Sequence, residues 1–417
     1  MSTKNHKKKS VLIIVENLPL PFDRRVWQEC LSLRQAGYQV CAICPKGRGY
    51  EKSYEELSGI HIYRHPIVLE GKGITGYLLE YSSALFWEFI LAARIWKKHG
   101  FEVIQACNPP DLIFLIAIIY KYLLGKKFIF DHHDINPELY LAKFGRKDLL
   151  YRLMILLEKM TFSAADYSIA TNESYKKIAI ERGGMDGDRV FVVRSGPSLE
   201  RFKPVPPNPA WKNGREYMVG YVGVMGCQEG LDHLLEAVGI VIQQKKRTDI
   251  QFVLVGGGTE LEKLKMLCAD MGFNDYVTFT GRVPDHVLAE VLCTADVCVN
   301  PDIANEMNDK STMNKIMEYM ALGKPIVQYD LTEGRRTALD ASLYARPNDI
   351  VDFAAKITSL LSNPELRKRM GNFGINRVRE ELHWGIESVK YLEVYKLVLQ
   401  VEKSDSIYKH HTLVDQG

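Results

Sequence analysis

The residues of this chain best suited to chemistry fall in two short stretches, Asp131-His132-His133-Asp134 and the run from Lys310 to Glu318. In the first, carboxylates flank two imidazoles and can orient a ring or hold its charge. Adjacent side chains diverge, so the two histidines are not expected on one metal. His133, with its neighbour Asp134, is the favoured candidate: a histidine is as a rule structural, and a place at the end of a strand argues for a site. In the second stretch, a helical advance of about 100° per residue gathers Ser311, Asn314, Lys315 and Glu318 on a polar arc. Met313, Ile316, Met317 and Met320 fill the opposite, apolar arc. Ser311 and Thr312 can cap open amides or offer a hydroxyl to phosphate, and Lys315 supplies positive charge. One turn on, Glu318 can accept hydrogen bonds from paired sugar hydroxyls. An exposed polar face is the plainer account of such an arc.

Strands and helices must hold these groups, and the chain alternates the two. Strand-like runs at Val11–Asn17, Gln39–Pro45, Phe101–Cys107, Lys127–Asp131 and Asp166–Thr171 are separated by helix-like stretches. After the proline-rich Val205–Glu216 the alternation starts again at Tyr217. Short apolar strands between helices imply parallel sheets covered on both faces. The expected fold class is therefore α/β, with two Rossmann-like doubly wound domains over residues 1–205 and 206–385. A helix over 386–403 and a flexible tail over 404–417 follow, and the first ten residues read as disordered.

Ligands of open parallel sheets bind beyond the carboxyl ends of the strands. Two loops there, Gly223–Gly230 and Gly256–Gly258, place Gly223, Gly226, Gly256 and Gly257 where a backbone could approach a phosphate. Glycine after a strand also serves plain turns.

Composition narrows the class. Among 417 residues, positions 1–205 carry 30 Lys and Arg against 22 Asp and Glu, while 206–417 carry 24 against 29. The first half thus favours an anionic partner or surface, and nucleic acid is not an expected partner. The eight cysteines sit mostly in apolar patterns and read as reduced and cytosolic. Cys41 and Cys44 form a C-x-x-C inside a strand, with no matching zinc-type pair. The apolar run Leu112–Leu124 contains Lys121 and falls short of the roughly 20 residues of a spanning helix. The aromatic stretch Tyr77–Lys98 has two readings, core helix and a surface for anionic lipid.

Taken together, these residues resemble the retaining glycosyltransferases of family 4, which have the GT-B architecture of two Rossmann-like domains and an interdomain cleft. Glu318–Val327, EYMALGKPIV, is similar to the family's E-A-M-A-x-G-x-P-V-V. Val192–Pro204 is similar to its N-G-V-D-x-x-x-F-x-P, Ala295–Asp302 precedes the key loop as in the family, and Asp131–Glu138 resembles its H-D-x-x-P-E loop. The match spans nearly the whole chain.

The resemblance implies that His133 lies near the donor sugar and reaction centre, and that Glu318 binds the ribose of a nucleotide. The amides and hydroxyls of Ser311, Thr312, Met313 and Asn314 would hold the diphosphate or donor sugar, and the C-terminal helix would cross back onto the first domain. Three departures stand out. Lys310 occupies the place of a second glutamate, for which Glu306 and Asp309 are the nearby substitutes. Val224 and Glu229 occupy the places of a cationic diphosphate clamp, for which Lys315, Arg282 and Arg194 are the substitutes. The first loop carries Arg24 and Arg25 in place of a glycine pair, to bind an anionic acceptor or to stand as exposed loop arginines.

The expected activity is transfer of a hexose, with retention, from a nucleoside diphosphate-sugar to a hydroxyl acceptor, a lipid-linked glycan or polysaccharide precursor. No metal or cofactor is expected. The expected location is the cytoplasm, at the inner face of the membrane, with peripheral contact through the basic first domain. A nucleotide-sugar 2-epimerase on the same fold and a catalytically weak nucleotide-sugar-binding subunit are the alternatives.

Overall fold

A computed structural model describes residues 9–66 and 73–411. The chain forms two compact units, one of Met1–Arg194 with Glu387–Gly417 and the other of Ser195–Ile386.

The first unit is built on β1 (Ser10–Val15), β2 (Gln39–Pro45), β3 (Tyr54–Leu57), β4 (Ile60–His65), β5 (Val103–Cys107), β6 (Lys127–His132), β7 (Tyr167–Ala170) and β8 (Val190–Val192). Their order is β3-β4-β2-β1-β5-β6-β7-β8. All neighbours are parallel except the β3–β4 hairpin. All six residues of β1 are buried, as helices on both faces of a parallel sheet require. The hairpin turns on Ser58 and Gly59, both with positive φ, the two-residue turn that suits twisted strands.

The second unit is built on β9 (Tyr217–Val222), β10 (Ile250–Val255), β11 (Val277–Gly281), β12 (Val297–Asn300), β13 (Ile326–Tyr329) and β14 (Ser342–Ala345), in the order β11-β10-β9-β12-β13-β14, all parallel. Val219, Tyr221, Phe252, Leu254, Val297 and Val299 carry its core under the helices.

In each sheet the chain order reverses once, at β1 between β2 and β5 and at β9 between β10 and β12. Loops leave such a point in opposite directions and open a crevice at the strand ends. His133 follows β6, Gly223 follows β9 and Pro301 follows β12.

Two boundaries differ from expectation. The units part at Arg194 and Ser195, because Val205–Glu216 is bound into the second unit. Trp211 Nε1 and Asn208 Nδ2 donate to Glu290 Oε1 at 2.7 and 2.9 Å, and the Asn208 amide donates to Thr294. The last helix runs from Trp384 to His411, past the expected tail start, since no Gly or Pro follows Gly385 within it. Residues 1–8, most of the expected disordered start, and 412–417 lie outside the described residues. In the long helix Gly73–Lys98, Ala84, Glu88, Ala92 and Ile95 are buried while Leu79, Phe86, Phe89 and Ile90 are exposed. One face of that stretch is core and the other is exposed.

Candidate functional site

In the second unit the polar stretch is two helices, Glu306–Lys310 and Asn314–Ala321, and not one. Ser311 closes the first: its backbone is extended and its Oγ donates to the Met307 carbonyl at 2.8 Å. It therefore does not share a helical arc with Lys315 and Glu318, because the turn ends before them. Met313 is the N-cap of the second helix and makes no side-chain capping bond, so the opening amides are not satisfied by that residue. Tyr319 pins this helix across the sheet reversal: its hydroxyl receives the Val222 amide at 2.9 Å and lies 3.2 Å from the Val299 carbonyl, joining β9 and β12. The helix N-terminus, with its positive dipole end, is thereby fixed over the strand ends.

The glycines of the two loops have a packing reason. Gly223 donates to the Val255 carbonyl and Met225 to the Gly257 carbonyl, so the loops lie backbone on backbone. A Cβ on Gly256, where φ is 138°, would stand 1.8 Å from the Gly223 oxygen. One on Gly223 would meet Tyr221 Oη at 2.5 Å and Lys315 Cε at 3.3 Å, and Gly226 is looser. Gly256→Ala is expected to lower unfolding free energy by about 2–4 kcal/mol, read as a shifted denaturation midpoint.

Lys315 is not an open clamp. Its Nζ lies 2.8 Å from Asp302 Oδ1, 3.0 Å from Glu229 Oε2 and 5.0 Å from the Tyr221 ring centre. Burial pushes the Asp302 carboxyl up to about 7, against the pull of Lys315. Burial alone would lower the Lys315 ammonium, but Asp302, then Tyr221 and Glu229, hold it well above its usual range. Glu229, which stands in place of a cation, thus serves as a partner to Lys315.

Arg282 fits the cationic role better: it is exposed, stands beside Gly257, and has no ion partner among the described residues. Glu318 faces a neighbour that sequence reasoning did not single out, Arg201, whose Nη1 lies 3.9 Å from its carboxylate. Arg201 also grips Asp285 through two bonds of 2.6 and 2.7 Å and lies over the Phe202 ring. Lys310 bonds Glu306 at 2.7 Å, and Asp309 accepts from the amide and hydroxyl of Thr332. Of the two carboxylates offered as substitutes at Lys310, Asp309 is therefore structural.

In the first unit, His133 belongs to a buried network. Its Nε2 lies 2.9 Å from Arg25 Nε and 2.8 Å from Asp131 Oδ2, so it accepts from the first when unprotonated and donates to the second when protonated. Arg25 also reaches Asp131 Oδ1 at 3.0 Å, Glu29 at 3.1 Å and the Val193 carbonyl at 2.9 Å. Burial would raise Asp131, but Arg25 and then His133 outweigh it and hold the carboxyl well below the usual range. Glu29 is raised well above its usual range by burial and then by Asp131, against the pull of Arg25. Glu29, Cys107, Asp131 and His133 are a donor set of metal-ligand type with donor atoms within 4.8 Å of one another. The Arg25 guanidinium already supplies a cation to three of them. His132 turns the other way, among Phe130, Phe162, Tyr175 and Glu158.

The network continues into the last helix. Gln105 Nε2 donates to Glu29 at 2.8 Å and Asp131 at 2.9 Å, and its Oε1 accepts from Tyr391 at 2.7 Å and Tyr395 at 2.5 Å. Replacing both tyrosines by phenylalanine leaves that oxygen buried and unsatisfied, an expected loss of about 1–3 kcal/mol in chemical denaturation.

The sequence divides between two family models, Glycosyltransferase Family 4 over residues 23–201 and Glycosyl transferases group 1 over residues 216–363. The chain belongs to glycosyltransferase family 4. Its similarity to D-inositol 3-phosphate glycosyltransferase of Thermomonospora curvata is 27% identity over 58% of this chain and 59% of that protein. An uncharacterized glycosyltransferase of Methanocaldococcus jannaschii is 21% identical over 86% of this chain and 90% of its own length. In fold, sucrose-phosphate synthase from Thermosynechococcus elongatus matches with a TM-score of 0.79 at 19% identity, covering 94% of this chain and all of that one. Anabaena HepE in complex with UDP and glucose matches at 0.68 and 13% identity, covering 93% and 99%. The fold is GT-B.

For this family 4 chain, the structure brings Gly223, Lys315, Met313, Asn314 and Glu318 around the β9–β12 reversal, with Gly256, Gly257 and Arg282 alongside. Arg194 is apart from these in the division of the chain, ending the first unit with its amide on Glu387 Oε2 at 2.9 Å. Arg25 is a buried holder of His133, whereas Arg24 is exposed. Asp134 keeps its carboxyl beside His133, raised by burial. Arg201 had one signal in the sequence: it lies in the Val192–Pro204 stretch that carries the resemblance.

Proposed function

We propose that this protein transfers a hexose from a nucleoside diphosphate-sugar to a hydroxyl of a lipid-linked glycan or polysaccharide precursor, with retention at the anomeric carbon. The carrying observation is Glu318 one turn into a helix that Tyr319 fixes over the β9–β12 reversal. A carboxylate so fixed can accept both hydroxyls of a ribose, and the helix start is placed for the diphosphate. Arg282 then supplies the positive charge that a departing diphosphate needs.

In this reading the donor's anomeric carbon passes through an oxocarbenium-like state while the acceptor hydroxyl attacks on the face the diphosphate leaves. A phosphate oxygen takes the acceptor's proton, so no covalent glycosyl carboxylate forms. His133 is held through Nε2 by Arg25 and Asp131. No step is assigned to a metal, and a chelator is expected to leave transfer unchanged. The basic first half and the exposed face of Gly73–Lys98 support action at the inner face of the membrane. Among the described residues no helix is long and apolar enough to cross a membrane.

Calorimetry with several nucleoside diphosphate-sugars, UDP-sugars first, followed by transfer to a lipid extract, tests the reading. Saturable donor binding with a new glycolipid is expected; donor binding with no transfer would leave a binding subunit and end the enzyme reading.

A further inference from the structure

The first unit contains a cavity of about 250 Å³ that the donor chemistry does not use. Leu139, Leu150, Leu153, Met154 and Leu157 make its walls apolar, from the helices Asn136–Phe144 and Leu149–Ala164. Two exposed cations, Lys143 and Arg146, stand in its lining. Arg146 pairs with Asp148 at 2.9 Å, and Lys143 has no ion partner among the described residues.

The remaining wall is tied to His133. Asp111 and Asn136 line the cavity, and Asn136 Nδ2 donates to Asp111 Oδ2 at 2.7 Å. Asn108 Nδ2 donates to Asp111 Oδ1 at 3.0 Å, while Asn108 Oδ1 accepts the His133 amide at 2.7 Å. Cavity wall and histidine turn are one hydrogen-bonded piece, so an occupant is fixed relative to His133.

Apolar walls reward burial of hydrocarbon, at about 25 cal/mol per Å². The volume is below the roughly 300–1,000 Å³ of sites that enclose a whole small ligand, so this one encloses part of a longer molecule. Outside it, exposed apolar side chains continue along the same helix at Leu149 and Leu156, and on the adjoining helix Phe114–Leu124 at Ile119 and Leu123. A chain leaving the cavity meets hydrocarbon, and an anion beside it meets Lys143 and Arg146.

We propose that this cavity holds a segment of the hydrocarbon chain of a phosphorylated lipid, with the phosphate at Lys143 and Arg146, and that this lipid carries the acceptor sugar. The last clause rests on the transfer reading above; the binding site does not.

Titration of farnesyl phosphate into the full chain, followed by calorimetry, tests it. Saturable binding is expected, with inorganic phosphate showing none. Met154→Trp, which fills the cavity, Leu153→Glu at a half-exposed wall position, and Lys143→Glu with Arg146→Glu should each weaken it about tenfold or more. UDP-sugar binding should stay unchanged in all of them. Equal affinity in Met154→Trp and Leu153→Glu would overturn the site. Loss of phosphatidylglycerol vesicle binding in these variants, with farnesyl phosphate affinity retained, would make the occupant bulk membrane lipid and also overturn it. If farnesyl phosphate binds as expected but no nucleotide-sugar does, the transfer reading fails and the cavity assignment stands.

Discussion

Glu318→Ala is expected to weaken nucleoside diphosphate binding about 10- to 100-fold, the worth of hydrogen bonds to a charged acceptor. The carboxylate is 17% exposed, and Arg201 Nη1 lies 3.9 Å from it. Truncation removes the acceptors that a ribose would use, and a denaturation midpoint measured alongside separates lost binding from lost fold. Glu318→Gln separates charge from shape: it keeps one carbonyl acceptor and should fall between wild type and alanine. Calorimetry with UDP and with a sugar lacking the nucleotide checks the assignment. A loss seen for UDP and absent for the free sugar is the expected pattern; unchanged UDP affinity would remove Glu318 from the ribose role.

The second large effect is on stability. Arg25→Met should cost about 3–5 kcal/mol, because it leaves an ionised carboxylate buried without its cation. Arg25 is 8% exposed at its side chain and Asp131 is fully buried, so water cannot replace the lost partner. Lysine at this position has one point of charge for acceptors on Asp131, Glu29, His133 and Val193, and should rescue only part of the loss. The double variant Arg25→Met with Asp131→Asn should be less damaged than the two single losses added together, since each removes the other's unpaired charge. Equilibrium denaturation measures all four proteins. A loss for Arg25→Met below about 1 kcal/mol, the level of an exposed pair, would show that the network is solvated in solution.

Much of this was legible in the sequence, for physical reasons that differ between elements. Parallel strands buried on both faces are continuous apolar runs, so β1, β2, β5, β9 and β10 announce themselves. The hairpin of β3 and β4 was missed because it lies at a sheet edge, where β3 is largely exposed and its apolar pattern is weak. Its Ser58-Gly59 turn was the available signal. The helix Asn136–Phe144 is short and begins with proline after a polar loop, so it read as loop.

At the candidate site, strand-end position singled out His133 and helical arithmetic singled out Glu318, but neither gave what surrounds them. Arg25 and Gln105 act across 108 and 26 residues on His133 and Asp131, and no local periodicity encodes such pairing. The charge of Lys315 was readable; its neutralisation by Asp302 and Glu229 depends on loops that meet only in the fold. Helical arithmetic placed Ser311 with Glu318 because it took the helix as unbroken, whereas Ser311 ends the preceding one.

Transfer with retention from a nucleoside diphosphate-sugar is read from the anomeric configuration of the product. Purified protein, an isotopically labelled UDP-sugar and lipid extract would be incubated together, and the new glycosidic bond examined by NMR. The expected product is a glycolipid whose anomeric carbon keeps the configuration it had in the donor. An inverted linkage, or a 2-epimerised sugar formed without any acceptor, would contradict it.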